Sequence, residues 1–255
     1  MNSTPRIGVV IPAFQDAEGL RRTLQAFQEL PVKLRDSLEI AVVDGGSSDG
    51  TLSVVSEFMS LLTHVDSQAD QGVYDAMNRG ARQIQSPFVW FMGAGDVPQA
   101  PGLSKLLFRL SDHNEDAHAC SVDAMSPREP GVPKQFVPHY DQSILWRNTI
   151  HHQGLVAPTN WIKQKPFSTD YKVLSDYAWI LDQRNDGNRI HCHADLVLAS
   201  VSSGGLSRQF DTNLYKEERR MKLGRVSNAV HLAHTFWLPC KWAFKQNSKA
   251  LSICG

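Results

Sequence analysis

The feature that most constrains this chain is a repeated phrase: a short apolar run, a loop rich in Gly and Asp, then helical periodicity. Arg6-Ile7-Gly8-Val9-Val10-Ile11 closes on Pro12. Glu39-Ile40-Ala41-Val42-Val43 stops at Asp44-Gly45-Gly46-Ser47-Ser48-Asp49-Gly50, and Phe88-Val89-Trp90-Phe91-Met92 ends in Gly93-Ala94-Gly95-Asp96. Runs that are apolar at nearly every position are strands covered on both faces. A weaker strand is expected at His64-Val65-Asp66. Between these runs, Asp16 is placed to cap a helix marked by Leu20, Leu24 and Phe27. Leu52, Val55 and Met59 mark a second helix, and Val73, Met77, Ala81 and Ile84 a third. Strands alternating with helices at this pitch predict an α/β fold with a mostly parallel sheet flanked by helices.

In such sheets ligands bind outside the carboxyl ends of the strands. The loops Pro12–Asp16, Asp44–Gly50, Asp70–Gly80 and Gly93–Asp96 all leave that edge, so element order alone predicts one crevice. Beyond residue 112 the pattern is irregular. Prolines at 127, 130, 133 and 138 predict a loop or edge hairpin over 126–138. A helix is expected near Leu174–Arg184, an apolar run over Asp195–Val201, and a basic helical tail over Lys216–Trp237.

Charge excludes some functions. Lys plus Arg equals Asp plus Glu at 26 each, which argues against a general nucleic-acid binder. The balance is uneven along the chain. Residues 1–100 carry 12 acidic against 7 basic side chains, and residues 214–255 carry 2 against 8. The acidic front suits a metal, and the basic tail suits an anionic surface. The cysteines (Cys120, Cys192, Cys240, Cys254) form no C-x-x-C pair, so neither a zinc site nor a redox dithiol is expected. No apolar run reaches the roughly 18 residues that span a bilayer, and no leader-like stretch precedes the first strand. A cytoplasmic location is the expectation.

Asp44 and Asp96 each follow an apolar strand, where a carboxylate can simply cap the next helix. Two such carboxylates on neighbouring Gly-rich loops suit a phosphate ligand with a divalent cation. Neither G-x-x-x-x-G-K-[ST] nor G-x-G-x-x-G is present.

Val43-Asp44-Gly45-Gly46-Ser47-Ser48-Asp49-Gly50-Thr51 resembles the second-strand motif of family 2 glycosyltransferases, which have the GT-A nucleotide-sugar fold. Asp70-Gln71-Gly72-Val73-Tyr74-Asp75-Ala76-Met77-Asn78-Arg79-Gly80 resembles a segment of the bacterial exopolysaccharide subgroup that includes colanic-acid-type enzymes. Phe91-Met92-Gly93-Ala94-Gly95-Asp96 is similar to that subgroup's metal motif, with one carboxylate where two or three are common.

The resemblance implies a nucleotide-sugar half over 1–110 and an acceptor half over 111–211; charge and helical spacing add a basic amphipathic tail over 212–255, whose apolar stripe either packs on the domain or meets a membrane. It implies that Asp44 binds the nucleobase, with Pro12 and Phe14 lining the pocket, and that Asp75, Asn78 and Gly95 contact the nucleotide sugar. Asp96 would ligate Mg2+ or Mn2+ at the diphosphate. Asp176, at the end of Phe167–Asp176, maps to the catalytic base, with Asp170 as its rival. His151 and His152 are candidates for acceptor or diphosphate contacts, and Gly204-Gly205-Leu206-Ser207 resembles a loop near the metal.

The activity implied is inverting, non-processive transfer of one hexose-type sugar from a nucleotide-sugar to a saccharide or polyprenyl-diphosphate-linked acceptor. Exopolysaccharide or other surface-glycan synthesis would be its setting. The tail stripe Val226, Val230, Ala233 and Trp237, with Trp242, Phe244 and neighbouring Lys and Arg, implies peripheral contact with the inner, anionic membrane face. Alternatives are a nucleotidyltransferase, or a catalytically inactive sugar-nucleotide-binding scaffold.

Overall fold

The computed structural model describes residues 6–110, 115–125, 133–202 and 212–237. In chain order the elements begin β1 (Ile7–Ala13), α1 (Ala17–Gln28), α2 (Val32–Arg35), β2 (Leu38–Asp44) and α3 (Thr51–Glu57). Next come β3 (His64–Ser67), α4 (Val73–Gln83), β4 (Phe88–Phe91), β5 (Val97–Pro98) and α5 (Ala100–Arg109). The second half adds β6 (Ala117–Ala124), β7 (Gln135–Phe136), β8 (Leu155–Pro158), α6 (Thr159–Gln164), α7 (Ser175–Asn185), β9 (Ile190–Val201) and α8 (Thr212–Lys222).

The strands form one sheet in the order β3-β2-β1-β4-β8-β6-β9-β5, with β7 beside β6. The β3-β2-β1-β4 half is parallel throughout. Strand β8 enters antiparallel to both β4 and β6, while β6 and β9 run parallel. Side chains alternate across the sheet with the strand period of two. Ile7, Val9 and Ile11 therefore pack with Leu20, Leu24 and Phe27 of α1, whereas Val10 faces Met77 and Ala81 of α4. At Gly80 a Cβ would lie 2.4 Å from Val10 Cγ1, so only glycine lets α4 approach β1 this closely.

Asp16 caps α1 as expected, accepting from the Gly19 N–H at 2.9 Å. The helix after Gly50 differs in its buried face. Thr51, Val54 and Val55 are buried, while Leu52 and Met59 are exposed, and Met59 belongs to a tighter turn after Glu57. Within the 126–138 region, β7 pairs antiparallel with β6, Phe136 opposite Val122.

The basic tail is two helical pieces, α8 and a segment over 228–237. Helix α8 packs on the acceptor half. Met221 is fully buried against the α7 side of the core, and Lys222 is fully buried between Glu218 and the Trp146 carbonyl. Arg225 pairs with Asp182 of α7. Glu217 accepts from three consecutive backbone N–H groups, Lys172 (3.0 Å), Val173 (2.9 Å) and Leu174 (2.8 Å), just before α7. Among the described residues no helix is long and apolar enough to cross a membrane. Gly204–Ser207, Cys240, Trp242, Phe244 and Cys254 lie outside the described residues.

Candidate active site

The four loops meet beyond the carboxyl ends of β1, β2, β3 and β4. Gln15 donates through its backbone N–H to Ser47 Oγ (2.8 Å) and through its amide to Ser48 Oγ (3.0 Å), tying the first loop to the second. Arg79 of α4 is buried and reaches Asp66 (2.9 Å), the Gln68 carbonyl and the Asp44 carbonyl. One guanidinium thus holds the ends of β2 and β3 against α4.

At the nucleobase end the geometry departs from expectation. Asp44 is fully buried and accepts from Gly46 N–H, Ser47 N–H and the Ser67 hydroxyl (2.7 Å). Burial opposes its charge, but the Ser47, Ser67 and Gly46 donors outweigh burial and hold its pKa below the usual carboxylate range. Asp44 here shapes the Gly45–Ser47 loop. Pro12 is buried opposite Val43, while Phe14 stands 61% exposed at the mouth. A Cβ on Gly45 would lie 2.6 Å from Asp70 Oδ2 and 3.2 Å from the Phe14 ring. Phe14, the bare Gly45 backbone and Asp70 therefore lie together at the mouth of the crevice. Asp70 was not among the residues expected there.

Asp75 and Asn78 separate. Asp75 is half-buried and accepts from the Gln71 N–H at 3.2 Å. The buried Asn78 amide is fully engaged with the Phe167 backbone, donating to its carbonyl (2.8 Å) and accepting from its N–H (2.9 Å). Asn78 is therefore a brace between α4 and the segment leading to α7, not a sugar-facing group in this structure. The Gly95 N–H is likewise engaged, by the Gly19 carbonyl and Thr23 Oγ1 at 2.9 Å each, and Gly95 adopts φ +94°. That conformation suits glycine and turns the chain so that Asp96 points back under the loop.

Asp96 is 2% exposed. Oδ2 accepts from the Gly93 N–H (2.8 Å) and Gln153 Nε2 (2.9 Å), and Oδ1 from the Ser202 N–H (2.9 Å) and hydroxyl (3.3 Å). Burial nevertheless pushes its pKa up, against those donors and the nearby His152. Among the described residues no group of three or more His, Cys, Asp or Glu is arranged to hold a metal. Oxygen donors that are not carboxylates also suit Mg2+ and Mn2+, and one is present. Gln153 Oε1, on the amide whose Nε2 donates to Asp96, is buried without a hydrogen-bond partner. The Asp96 carboxylate and the Gln153 amide oxygen are donors of the kind that a hard divalent cation takes.

Asp176 lies in the first turn of α7 and is buried. Oδ1 meets the Tyr177 N–H (2.8 Å) and the Tyr74 hydroxyl (3.0 Å), while Oδ2 lies 3.4 Å from His152 Nδ1. Burial opposes its charge, yet His152 first, then Tyr177 N–H and Tyr74, hold its pKa below the usual range. Burial and the Asp176 charge keep the Tyr74 phenol protonated, well above its ordinary pKa. His151 stacks on His152 at 5.5 Å and meets the Phe136 ring at a tilt, 5.0 Å between centroids. Asp170 is exposed in the loop before α7. Two adjacent residues thus join the two halves: His152 touches Asp176, and Gln153 touches Asp96. A separate cavity of about 710 Å3, lined by Ser86, Asp116, Thr159, Lys163 and Arg189 among others, lies at the opposite sheet edge, away from these carboxylates.

The model of the family described as Glycosyl transferase family 2 matches residues 8–168, more than half the chain and all of the donor-side loops. The chain belongs to glycosyltransferase family 2. Within this family, it is 29% identical over 130 residues to the uncharacterized glycosyltransferase Rv1514c of Mycobacterium tuberculosis, covering 51% of this chain and 44% of that relative. The match therefore spans less than half the length of that protein. It is 26% identical over 212 residues to a PGL/p-HBAD biosynthesis glycosyltransferase of Mycobacterium bovis, covering 80% of each. The fold is similar to that of the mannosyltransferase PcManGT of Pyrobaculum calidifontis, in complex with GDP-Man and Mn2+. The TM-score is 0.66 at 21% identity, over 98% of this chain and 76% of the other. A GT-A-like α/β fold with a mixed, mostly parallel sheet accounts for the glycosyltransferase family 2 chain described above.

Proposed function

We propose that this family 2 glycosyltransferase moves one sugar, with inversion, from a nucleotide-sugar to a lipid-linked saccharide acceptor in surface-glycan synthesis of the exopolysaccharide type. The observation that carries this reading is the His152-Gln153 bridge, which brings a base candidate and a diphosphate-end carboxylate to one crevice. GDP-Man and Mn2+ in the PcManGT complex support a nucleotide-sugar with a divalent cation, Mg2+ or Mn2+, here.

The donor's base would rest against Phe14 over the Gly45 backbone, with Asp70 beside it. A divalent cation at Asp96 would supply neutralisation of the leaving diphosphate. Asp176, ionised at neutral pH, would accept the acceptor hydroxyl's proton at Oδ2 as that oxygen attacks the anomeric carbon from the face opposite the diphosphate. A single displacement inverts the configuration. Tyr74 and the Tyr177 N–H hold Oδ1, and His152 orients Oδ2.

Peripheral membrane contact belongs to the same reading. Leu223, Leu232, Phe236 and Trp237 are all more than half exposed, and Lys216 and Arg219 are exposed nearby. Aromatic and aliphatic side chains beside basic ones suit an anionic lipid interface. A thermal-shift screen over nucleoside diphosphates and their sugars tests the donor half of the proposal, since ligands of the native state raise its stability. A shift with one nucleobase class is expected, and no shift with any would contradict the reading.

A further inference from the structure

Gln153 is nine-tenths buried, and the two ends of its amide have unequal surroundings. Nε2 donates to Asp96 Oδ2 at 2.9 Å. A carboxylate only accepts, so the amide must present its N–H to Asp96 and turn Oε1 the other way. Oε1 has no partner and no exposure to solvent. An orphaned buried acceptor ordinarily costs about 1–3 kcal/mol, so native proteins seldom leave one without a reason.

The backbone around this amide is held firmly. The Gln153 carbonyl accepts from Trp90 Nε1 at 2.8 Å, and the Gly154 N–H bonds the His151 carbonyl at 2.9 Å. The side chain is therefore presented by a fixed turn at the end of β4. Asp96 is as confined, with four protein donors on its two oxygens. The loop that carries it has Gly95 and Gly93 where further carboxylates would thicken the ligand set, and a Cβ at residue 93 would lie 2.8 Å from Asp96 Oδ2. One carboxylate, and on the far side of the amide that donates to it an unsatisfied oxygen, leave two hard acceptors in one buried place with no second carboxylate.

We propose that the Gln153 side-chain oxygen is the second protein ligand, with Asp96, of the divalent cation that accompanies the donor diphosphate. Amide and carboxylate oxygens are both hard ligands suited to Mg2+ and Mn2+, which complete their shells with water and substrate phosphate. The inference rests on the nucleotide-sugar reading and names a residue that this chain uses in place of the missing aspartates.

The test is Mn2+ titration of the full chain, read from the electron paramagnetic resonance of free Mn2+, alone and with UDP or GDP. Gln153→Leu removes both amide atoms and is expected to weaken Mn2+ binding about tenfold or more. Gln153→Glu keeps an oxygen ligand but sets two carboxylates together. Its melting temperature should fall without metal and recover with Mn2+, and its Mn2+ affinity should equal or exceed that of the native protein. Unchanged affinity in Gln153→Leu would overturn the proposal. So would a Gln153→Glu protein that binds Mn2+ as weakly as the leucine variant, or that Mn2+ fails to restabilise. If the native protein binds neither UDP nor GDP with or without metal, the nucleotide-sugar reading fails instead.

Discussion

His152 Nδ1 lies 3.4 Å from Asp176 Oδ2, so a residue between β7 and β8 orients a carboxylate in the first turn of α7. Asp176→Asn keeps the shape but removes the proton acceptor. Donor binding should persist while transfer falls by roughly 10²–10⁴-fold. His152→Gln removes the largest influence that lowers the Asp176 pKa, so the acid limb of the kcat profile should move to higher pH. Asp170→Asn should leave transfer near native levels, because that side chain is exposed outside the bridge. A loss in Asp170→Asn without one in Asp176→Asn would transfer the role of base.

Asp96→Ala should abolish the Mn2+-dependent part of nucleoside diphosphate binding measured by calorimetry. Equal affinities with and without Mn2+ in the native protein, unchanged by the substitution, would remove the cation from this loop.

Glu39 offers a test of fold against site. It is 4% exposed and accepts from the Ser86 N–H and hydroxyl (2.7 Å each), the Gln85 N–H (3.0 Å) and His64 (2.8 Å). Burial opposes its charge, but these donors, Ser86 foremost, hold its pKa below the usual value. A depressed carboxylate contributes stability that is present above its unfolded pKa of about 4.3 and is lost as pH falls through the folded value. Glu39→Ala should cost about 2–3 kcal/mol at neutral pH by urea unfolding, because buried donors lose their acceptor. The gap to the native protein should shrink in acid, and transfer under folding conditions should be unaffected.

The tail prediction is sharpened by the packing of α8. Lys222 and Arg225 are paired within the protein, so membrane affinity would rest on Lys216, Arg219 and the exposed apolar side chains. Co-sedimentation with anionic liposomes, weakened by high salt, is expected. Phe236→Ser with Trp237→Ser should reduce it without changing the melting temperature, since both side chains are exposed. Binding that is insensitive to this pair would place any lipid contact elsewhere.

The donor half was legible because its strands announce themselves. Ile7–Ile11 and Ile40–Val43 are apolar at nearly every position and end at Pro12 and at the Asp44–Gly50 loop, so strand order and site edge follow together. Strand β6 was not legible, because Ala117-His118-Ala119-Cys120-Ser121 is small and polar. His118 is buried there, with His193 on neighbouring β9 meeting its ring nitrogen at 2.9 Å. Strand β8 is four residues long and ends in Pro158, too brief to show a period. Asp44, Asn78 and Gly95 were placed at the ligand by motif resemblance, and a motif does not show that the Asn78 amide and the Gly95 N–H are taken up by protein partners. The opposite held for Gln153: a glutamine carries no motif signal, and only the Asp96 contact and the orphaned oxygen reveal it.

The central claim is tested most directly by incubating the protein with a panel of uridine and guanosine diphosphate sugars and Mn2+, and measuring nucleoside diphosphate release with and without a polyprenyl-diphosphate-linked saccharide. The account predicts release from one donor class, accelerated by the acceptor, dependent on the cation and lost in Asp96→Ala. No release from any donor, by a protein that still binds the nucleotides, would contradict it and identify a sugar-nucleotide-binding scaffold.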